Sequence, residues 1–248
     1  MPDRKKDFYH TCGGIILNSR YVLTAAHCVS KGTKHMSVGF GGDNDLFKIF
    51  DAGRIKVKRY VIHPDYKVSG VPDTEDELVE NDIAILELSS PIQFTDYLQP
   101  GCIQSTPMSS YPNGGVLSTA GFGLVDPFEE DSLTGRPVSP NKLSRHLKEV
   151  EVQDISATAK KCLADKSLVC VNSINEGESS CKGDSGSAIY AGPVNGKVYA
   201  VGITSYSDDV KWTDDRYKKV CIGRTYYARI QSFISWIESI IGEDYCTI

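Results

Sequence analysis

The chain has 248 residues, of which 40% are hydrophobic and 24% charged, with a formal net charge of −5. That length suits one large domain or two smaller units sharing a core, and the composition is ordinary for a folded globular protein. The acidic balance excludes nucleic acid as a main partner, and no apolar run approaches the roughly 18 residues of a membrane-spanning helix.

The eight cysteines are even in number and irregularly spaced, with no C-x-x-C pair. Zinc-ribbon and thioredoxin-type uses therefore do not fit, and disulfides in an oxidising compartment are expected. No cofactor or metal site is expected either. Against secretion, the leading "MPDRKKDFYHTCGG" has no apolar core of a signal peptide, and the chain has no N-x-S/T sequon.

In chain order, "GGIILNSRYVLTAAH" reads as two short apolar strands. The acidic stretch 69–81, "SGVPDTEDELVEN", reads as a surface loop, and "DIAILEL" follows as a further strand. Residues 124–143 carry three prolines and a charge run and read as a second long loop. "KVYAVGITSY" is again a strand, and 207–219 a third loop dense in both signs of charge. Many short strands divided by turn residues predict an all-β sandwich or barrel. One helix is clear. Ile230, Phe233, Ile234, Ile237, Ile240 and Ile241 fall on a single stripe over 229–241, with Gly242 as the stop.

Three stretches bear on chemistry. In "SSCKGDSGSAIY" (179–190), Asp184 and Ser185 stand between glycines, as in a solvated turn or where backbone N–H groups must lie bare beside a reacting oxygen. His10, His27, His35, His63 and His146 are the histidines available as bases. Of these, His27 ends an apolar segment in "VLTAAHC", where a histidine is more often structural than catalytic. Asp82 opens the apolar run of "VENDIAILEL", and a carboxylate there needs a partner. It serves either as a turn cap or as the acceptor that fixes a histidine tautomer.

"LTAAHC", "NDIAIL" and "GDSG", in that order, resemble the three signatures of the trypsin-like (chymotrypsin-fold) serine proteases. GDSG alone is weak; the three together, over nearly the whole chain, are specific. The resemblance implies two antiparallel Greek-key β-barrels packed together, with a C-terminal α-helix. The first barrel is expected over 1–100, a linker over 101–116, the second barrel over 117–228 and the helix over 229–242. It further implies Ser185 as nucleophile, His27 as general base and Asp82 as the group orienting His27. Gly183 and Ser185 would offer their N–H groups to the oxyanion, and Ser205 matches the serine that hydrogen-bonds the aspartate. By family position Cys12 pairs with Cys28, Cys162 with Cys170 and Cys181 with Cys221. Cys102 and Cys246 remain, and their link is left open. A further family bridge would fall at Leu117 and Ala191, where both cysteines are missing together.

The same resemblance places Ser179 at the base of the primary specificity pocket, with Ser207 and Thr225 on its walls. Tyr206 stands at its entrance and Lys182 at its rim. With no carboxylate at Ser179 and side chains on both walls, a preference for small or medium neutral residues before the scissile bond is expected. The partners implied are a protein or peptide substrate, an activating protease and a protein inhibitor. Asp184 is the residue that in the family pairs with a newly cut Ile-Val-Gly-Gly-type N-terminus, and no such segment precedes Cys12. The chain is therefore expected to be zymogen-like as given, with a missing upstream segment carrying both that terminus and the signal for secretion. The alternative is a catalytically silent homologue that binds partners through its long charged loops. A cytosolic metal or redox protein is weaker still, for want of ligand spacing.

Overall fold

In the first half "YVLT" and "AILEL" are near-continuous runs of buried residues, while "RIKVKRYVI" begins as an alternation of exposed and half-buried ones, and that difference of pattern lays out the front sheet. The computed structural model describes residues 9–30, 32, 35–41, 43–71, 76–108, 110–125, 143–175, 178–194, 196–208, 210–212, 219–221 and 223–248. The strands of the first half are β1 (Ile15–Ile16), β2 (Tyr21–Thr24), β3 (Ser37–Gly39), β4 (Arg54–Ile62), β5 (Lys67–Ser69), β6 (Leu78–Glu80) and β7 (Ala84–Leu88). Five of them form an antiparallel sheet in the order β1-β2-β7-β4-β3. β7 is central and buried along its whole length, so its sequence is a continuous apolar run broken only by Glu87. Lys58 and Arg59 of β4 both donate to that carboxylate, which answers the cost of burying it.

The second half contributes β8 (Cys102–Ile103), β9 (Val116–Gly121), β10 (Lys148–Asp154), β11 (Leu168–Ser173), β12 (Ala188–Val194), β13 (Lys197–Ser207), β14 (Val210–Trp212), β15 (Lys219–Cys221) and β16 (Thr225–Arg229). The order β12-β9-β10-β11-β16-β13 closes on itself through a β12–β13 pairing, giving a six-stranded barrel. β8, inside the stretch read as a linker, adds to β13 in parallel. The molecule is thus mostly β, with a closed barrel, a half-barrel sheet and a C-terminal helix, consistent with a chymotrypsin-like double barrel.

The seam between the two sheets is filled from both sides. Leu17, Leu23, Ile83 and Ile85 of the front half meet Ile103, Ile203, Ile230, Phe233 and Ile237 of the back half in one cluster. The stripe read as a helix over 229–241 begins as a 3-10 turn, Ile230–Phe233, and becomes α-helical only over α4 (Ile234–Ile241). Ile230, Phe233 and Ile237 are its buried anchors, and Gly242 ends it at φ 72°.

Sequence reading missed the shorter helices: α1 (Leu46–Ala52), the tight turn α2 (Pro112–Gly115) and α3 (Lys160–Ala164). α1 does carry its signals, an Asp45 N-cap that accepts the Phe47 N–H and a Gly53 stop. The acidic 69–81 stretch is a hairpin at its base, where β5 and β6 pair, with 72–75 outside the described residues. The 124–143 loop lies almost wholly outside them. The 207–219 stretch contains β14, and its last residue begins β15, with which β14 pairs. Four disulfides join Cys12 to Cys28, Cys102 to Cys246, Cys162 to Cys170 and Cys181 to Cys221.

Ile237→Ala is expected to lower unfolding free energy by about 2–5 kcal/mol, because it opens a cavity at the seam where the helix meets both halves. Urea titration of the oxidised protein measures it.

Candidate active site

β2 ends in a 3-10 turn, Ala26–Cys28, that carries His27. Ala25 and Ala26 are fully buried, and Cys28 is tied to Cys12, so the turn is anchored on both sides of the imidazole. Asp82 follows Asn81, whose backbone lies in the left-handed region at φ 52°, and precedes β7. This kink swings the carboxylate toward the His27 turn. Asp82 is 1% exposed, and its two oxygens grip the histidine twice. One accepts the His27 backbone N–H at 2.9 Å; the other lies 2.7 Å from ring Nδ1. The second oxygen also accepts the Ser205 hydroxyl from β13. Since a carboxylate only accepts, Nδ1 carries the hydrogen and Nε2 presents a lone pair. The His27 side chain keeps 31% of its surface open.

Ser185 sits in a turn knit by its own backbone. Asp184 N–H donates to Cys181, Ser187 N–H to Asp184 and Gly186 N–H to Thr204, each at 2.9 Å. The amides of Gly183 and Ser185 donate to no acceptor among the described residues. Gly13 N–H donates to the Ser185 carbonyl at 2.8 Å. A Cβ at Gly186 would lie 2.3 Å from Thr24 Oγ1 and 3.2 Å from the Ala25 nitrogen. The glycine therefore lets the Ser185 turn pack directly on the segment that ends in His27. Gly183, at φ 103°, is confined by Leu143, and any side chain there would strike it.

The carboxylate of Asp184 is taken up by backbone amides. It accepts the Gly123 N–H at 2.7 Å and the Cys181 N–H at 2.9 Å. Gly121 and Gly123 leave room for it; a Cβ at either would meet its oxygens at 1.9 and 2.3 Å. Burial pushes its pKa up, while the two amides and the nearby His10 pull it back.

His10 is a neighbour of the Ser185 turn that sequence reading left without a role. Its Nε2 lies 2.8 Å from the Gly183 carbonyl, so Nε2 carries a hydrogen and donates. Its ring meets Phe122 edge-on, and burial lowers its pKa. Only its place two residues before Cys12 hints at this. The other histidines lie elsewhere: His63 packs on Phe233 and Trp236, and His35 and His146 are exposed. Cys12, His27 and Cys28 are the trio of metal-type donors found close together among the described residues, but both sulfurs are locked in one disulfide.

At the position expected for the pocket base, Ser179 Oγ lies 3.0 Å from Thr225 Oγ1. Ser207 Oγ lies 3.2 Å from the same hydroxyl. Thr225 is buried and bridges the other two, so three hydroxyls are knit across one small space. Tyr206 stacks on Tyr226 at 4.7 Å, under the Lys161 ammonium. Lys182 is exposed.

A family model described as Trypsin matches residues 3–237. Granzyme M of Rattus norvegicus is 29% identical over 234 residues, covering 94% of this chain and 80% of that protein. CLIP domain-containing serine protease B9 of Anopheles gambiae is 28% identical over 265 residues, covering 97% of this chain and 58% of that protein. Ovochymase-2 of Mus musculus is 25% identical over 236 residues, covering 92% of this chain and 36% of that protein. The chain thus spans little more than half of the second relative and about a third of the last.

His10 generates a pH prediction. Burial holds its folded-state pKa below the usual 6.5, so below that pH the unfolded chain binds more protons and the fold loses stability. The contribution is fully present above 6.5 and fades as pH falls toward the lowered value. His63, lowered by the same cause, acts in the same direction. Denaturation midpoints at pH 7 and pH 5 should therefore differ less in His10→Gln than in the unaltered protein.

Proposed function

The chain belongs to the trypsin family of serine endopeptidases, and from that premise we propose that it hydrolyses peptide bonds through His27, Asp82 and Ser185. Ser185 Oγ attacks the scissile carbonyl carbon while His27 Nε2 takes the hydroxyl proton. The imidazolium keeps its Nδ1–H on Asp82, and the oxyanion is met by the N–H groups of Gly183 and Ser185. As the tetrahedral adduct collapses, His27 returns the proton to the departing amine, leaving an acyl-enzyme on Ser185. Water then attacks that ester, with His27 again acting as base and then acid.

The observation that carries this reading is the double grip of Asp82 on His27. It fixes the imidazole in the tautomer whose Nε2 can accept a proton, and holds the ring by its own backbone. The amides of Gly183 and Ser185, which meet no acceptor among the described residues, support the oxyanion role, since donors already satisfied could not serve.

The hydroxyl bridge of Ser179, Thr225 and Ser207 supports a pocket for small or medium neutral side chains. No carboxylate is among its three members to hold a lysine or arginine, and Thr225 stands between the two serines where a deep pocket would need a smaller residue. Asp184 is assigned to activation. A cation delivered to its buried carboxylate would complete a charge that two amides only partly satisfy, stabilising the loop around Gly183. On this reading the unprocessed chain is zymogen-like, an activating protease hydrolyses a peptide bond to free the α-ammonium that serves as the cation, and a protein inhibitor is a natural partner. The four disulfides fit an extracellular protein, and secretion is proposed on that basis.

The test uses the activated full chain and its Ser185→Ala variant on one peptide library. Turnover is expected to fall by roughly a millionfold in the variant, with cleavage in the unaltered protein following alanine, valine and similar residues. Equal, negligible turnover in both would instead leave the chain a binding module. A profile dominated by lysine or arginine would overturn the pocket assignment.

A further inference from the structure

α1 does more than fill the connection between β3 and β4. Asp45, its N-cap, has a side chain only 5% exposed. One oxygen accepts the Phe47 N–H at 2.9 Å; the other accepts Arg145 twice, from Nε at 3.0 Å and Nη2 at 2.6 Å. Two backbone bonds flank that pair, Leu46 N–H to the Arg145 carbonyl and Leu147 N–H to the Asn44 carbonyl, each at 2.8 Å. Between them Asp45 and His146 form an antiparallel bridge. The Arg145 guanidinium also lies 5.3 Å over the Phe47 ring. A helix of the front half therefore clasps the segment of the back half that leads into β10.

The other side of that clasped segment faces the Ser185 turn. Ser144 N–H donates to the Gly123 carbonyl at 3.0 Å, and Leu143 bridges Leu124. Gly123 N–H in turn donates to Asp184, and Leu124 N–H to the Lys182 carbonyl at 2.9 Å. The Leu143 side chain lies directly on Gly183, where a Cβ would be 2.7 Å from its Cδ2. A glycine with positive φ has several orientations open to its peptide groups. Here the Leu143–Arg145 segment, together with His10 on the Gly183 carbonyl, restricts that freedom, and the segment's own position is set by the Asp45 pair and the two backbone bonds beside it.

We propose that the Asp45–Arg145 clasp is a positioning device for the oxyanion-binding turn: the front half, through α1, holds the Gly183 peptide in the orientation that receives the developing negative charge. This rests on the assignment of Ser185 as nucleophile. The clasp is worth more in geometry than in stability, because the arginine is largely exposed. The guanidinium holds the Asp45 carboxyl down to about 2, so the clasp stays charged throughout the neutral and mildly acidic range.

The test uses Asp45→Ser, which keeps a hydroxyl for the Phe47 N–H but removes the charge, together with Arg145→Met and Arg145→Lys. Both Asp45→Ser and Arg145→Met are expected to lower kcat about tenfold. KM should stay within about twofold, as for an interaction realised only in the transition state. Affinity for a peptide boronate, which forms the tetrahedral adduct, should fall in step with kcat. Arg145→Lys should recover part of the loss, and the Asp45→Ser/Arg145→Met double variant should be no worse than either single one. Lys48→Ala, which breaks only the neighbouring pair with Asp43, is the control with unchanged activity. Amide hydrogen exchange gives a readout independent of turnover: 120–125 and 182–187 should exchange faster in both charge-removing variants, while β7 does not. If the activated chain fails to turn over at all, the assignment of Ser185 falls and exchange alone judges the clasp. Unchanged exchange in those two stretches, or a loss confined to KM or thermal stability, overturns the proposal.

Discussion

A carboxylate buried in the seam of a protein must be fully hydrogen-bonded or it will hold the fold open, because an unpaired buried charge costs several kcal/mol. Asp82 meets that demand with donors from both halves of the chain. The backbone and ring of His27 come from the front sheet, and the Ser205 hydroxyl comes from β13 of the closed barrel. Its satisfaction and the docking of the two halves are therefore one event. The same contact that hydrogen-bonds the carboxylate also sets the tautomer of the imidazole. On the proposed mechanism, stability and catalysis would share that single side chain.

Around that point the chain spends its constraints where the backbone is least regular. The His27 turn is fixed by two buried alanines and a disulfide, and the Ser185 turn by its own hydrogen bonds and by the glycine contact with Thr24 and Ala25. Gly183 is the weakest member, since a glycine with positive φ is held only by what surrounds it. His10 takes its carbonyl, Leu143 covers its face, and the carboxylate of Asp184 is lodged between Gly121 and Gly123 behind it. The Cys181–Cys221 disulfide then ties this turn to β15.

Much of this was legible before any coordinates, and for a physical reason. The three motifs are short runs whose unusual residue types stand out locally, although the contacts that require them are distant: Gly186 is bare for Thr24 and Ala25, and Asp82 opens an apolar strand to meet His27. The C-terminal stripe was legible by its periodicity, although its first turn tightened to 3-10 where Ile230 and Phe233 drop into the seam. What stayed hidden depends on distance along the chain. His10 reaches Gly183 across 173 positions, and Cys102 reaches Cys246 across 144. Glu87 reads as a flaw in an apolar strand until Lys58 and Arg59 arrive beside it. α1 was passed over because a seven-residue helix has too little periodicity to stand out, although its cap and stop are both present. The role of Arg145 could not be read at all, since nothing near it in sequence is its partner.

The measurement that bears most directly on the central claim is the rate at which a fluorophosphonate probe labels the activated chain, with the modified residue mapped by mass spectrometry, in the unaltered protein and in Asp82→Asn. If Asp82 sets the tautomer and orientation of His27 for attack by Ser185, the label falls on Ser185 and the variant reacts slower by about four orders of magnitude at neutral pH. Labelling at another residue, or equal rates in the two proteins, would contradict that account.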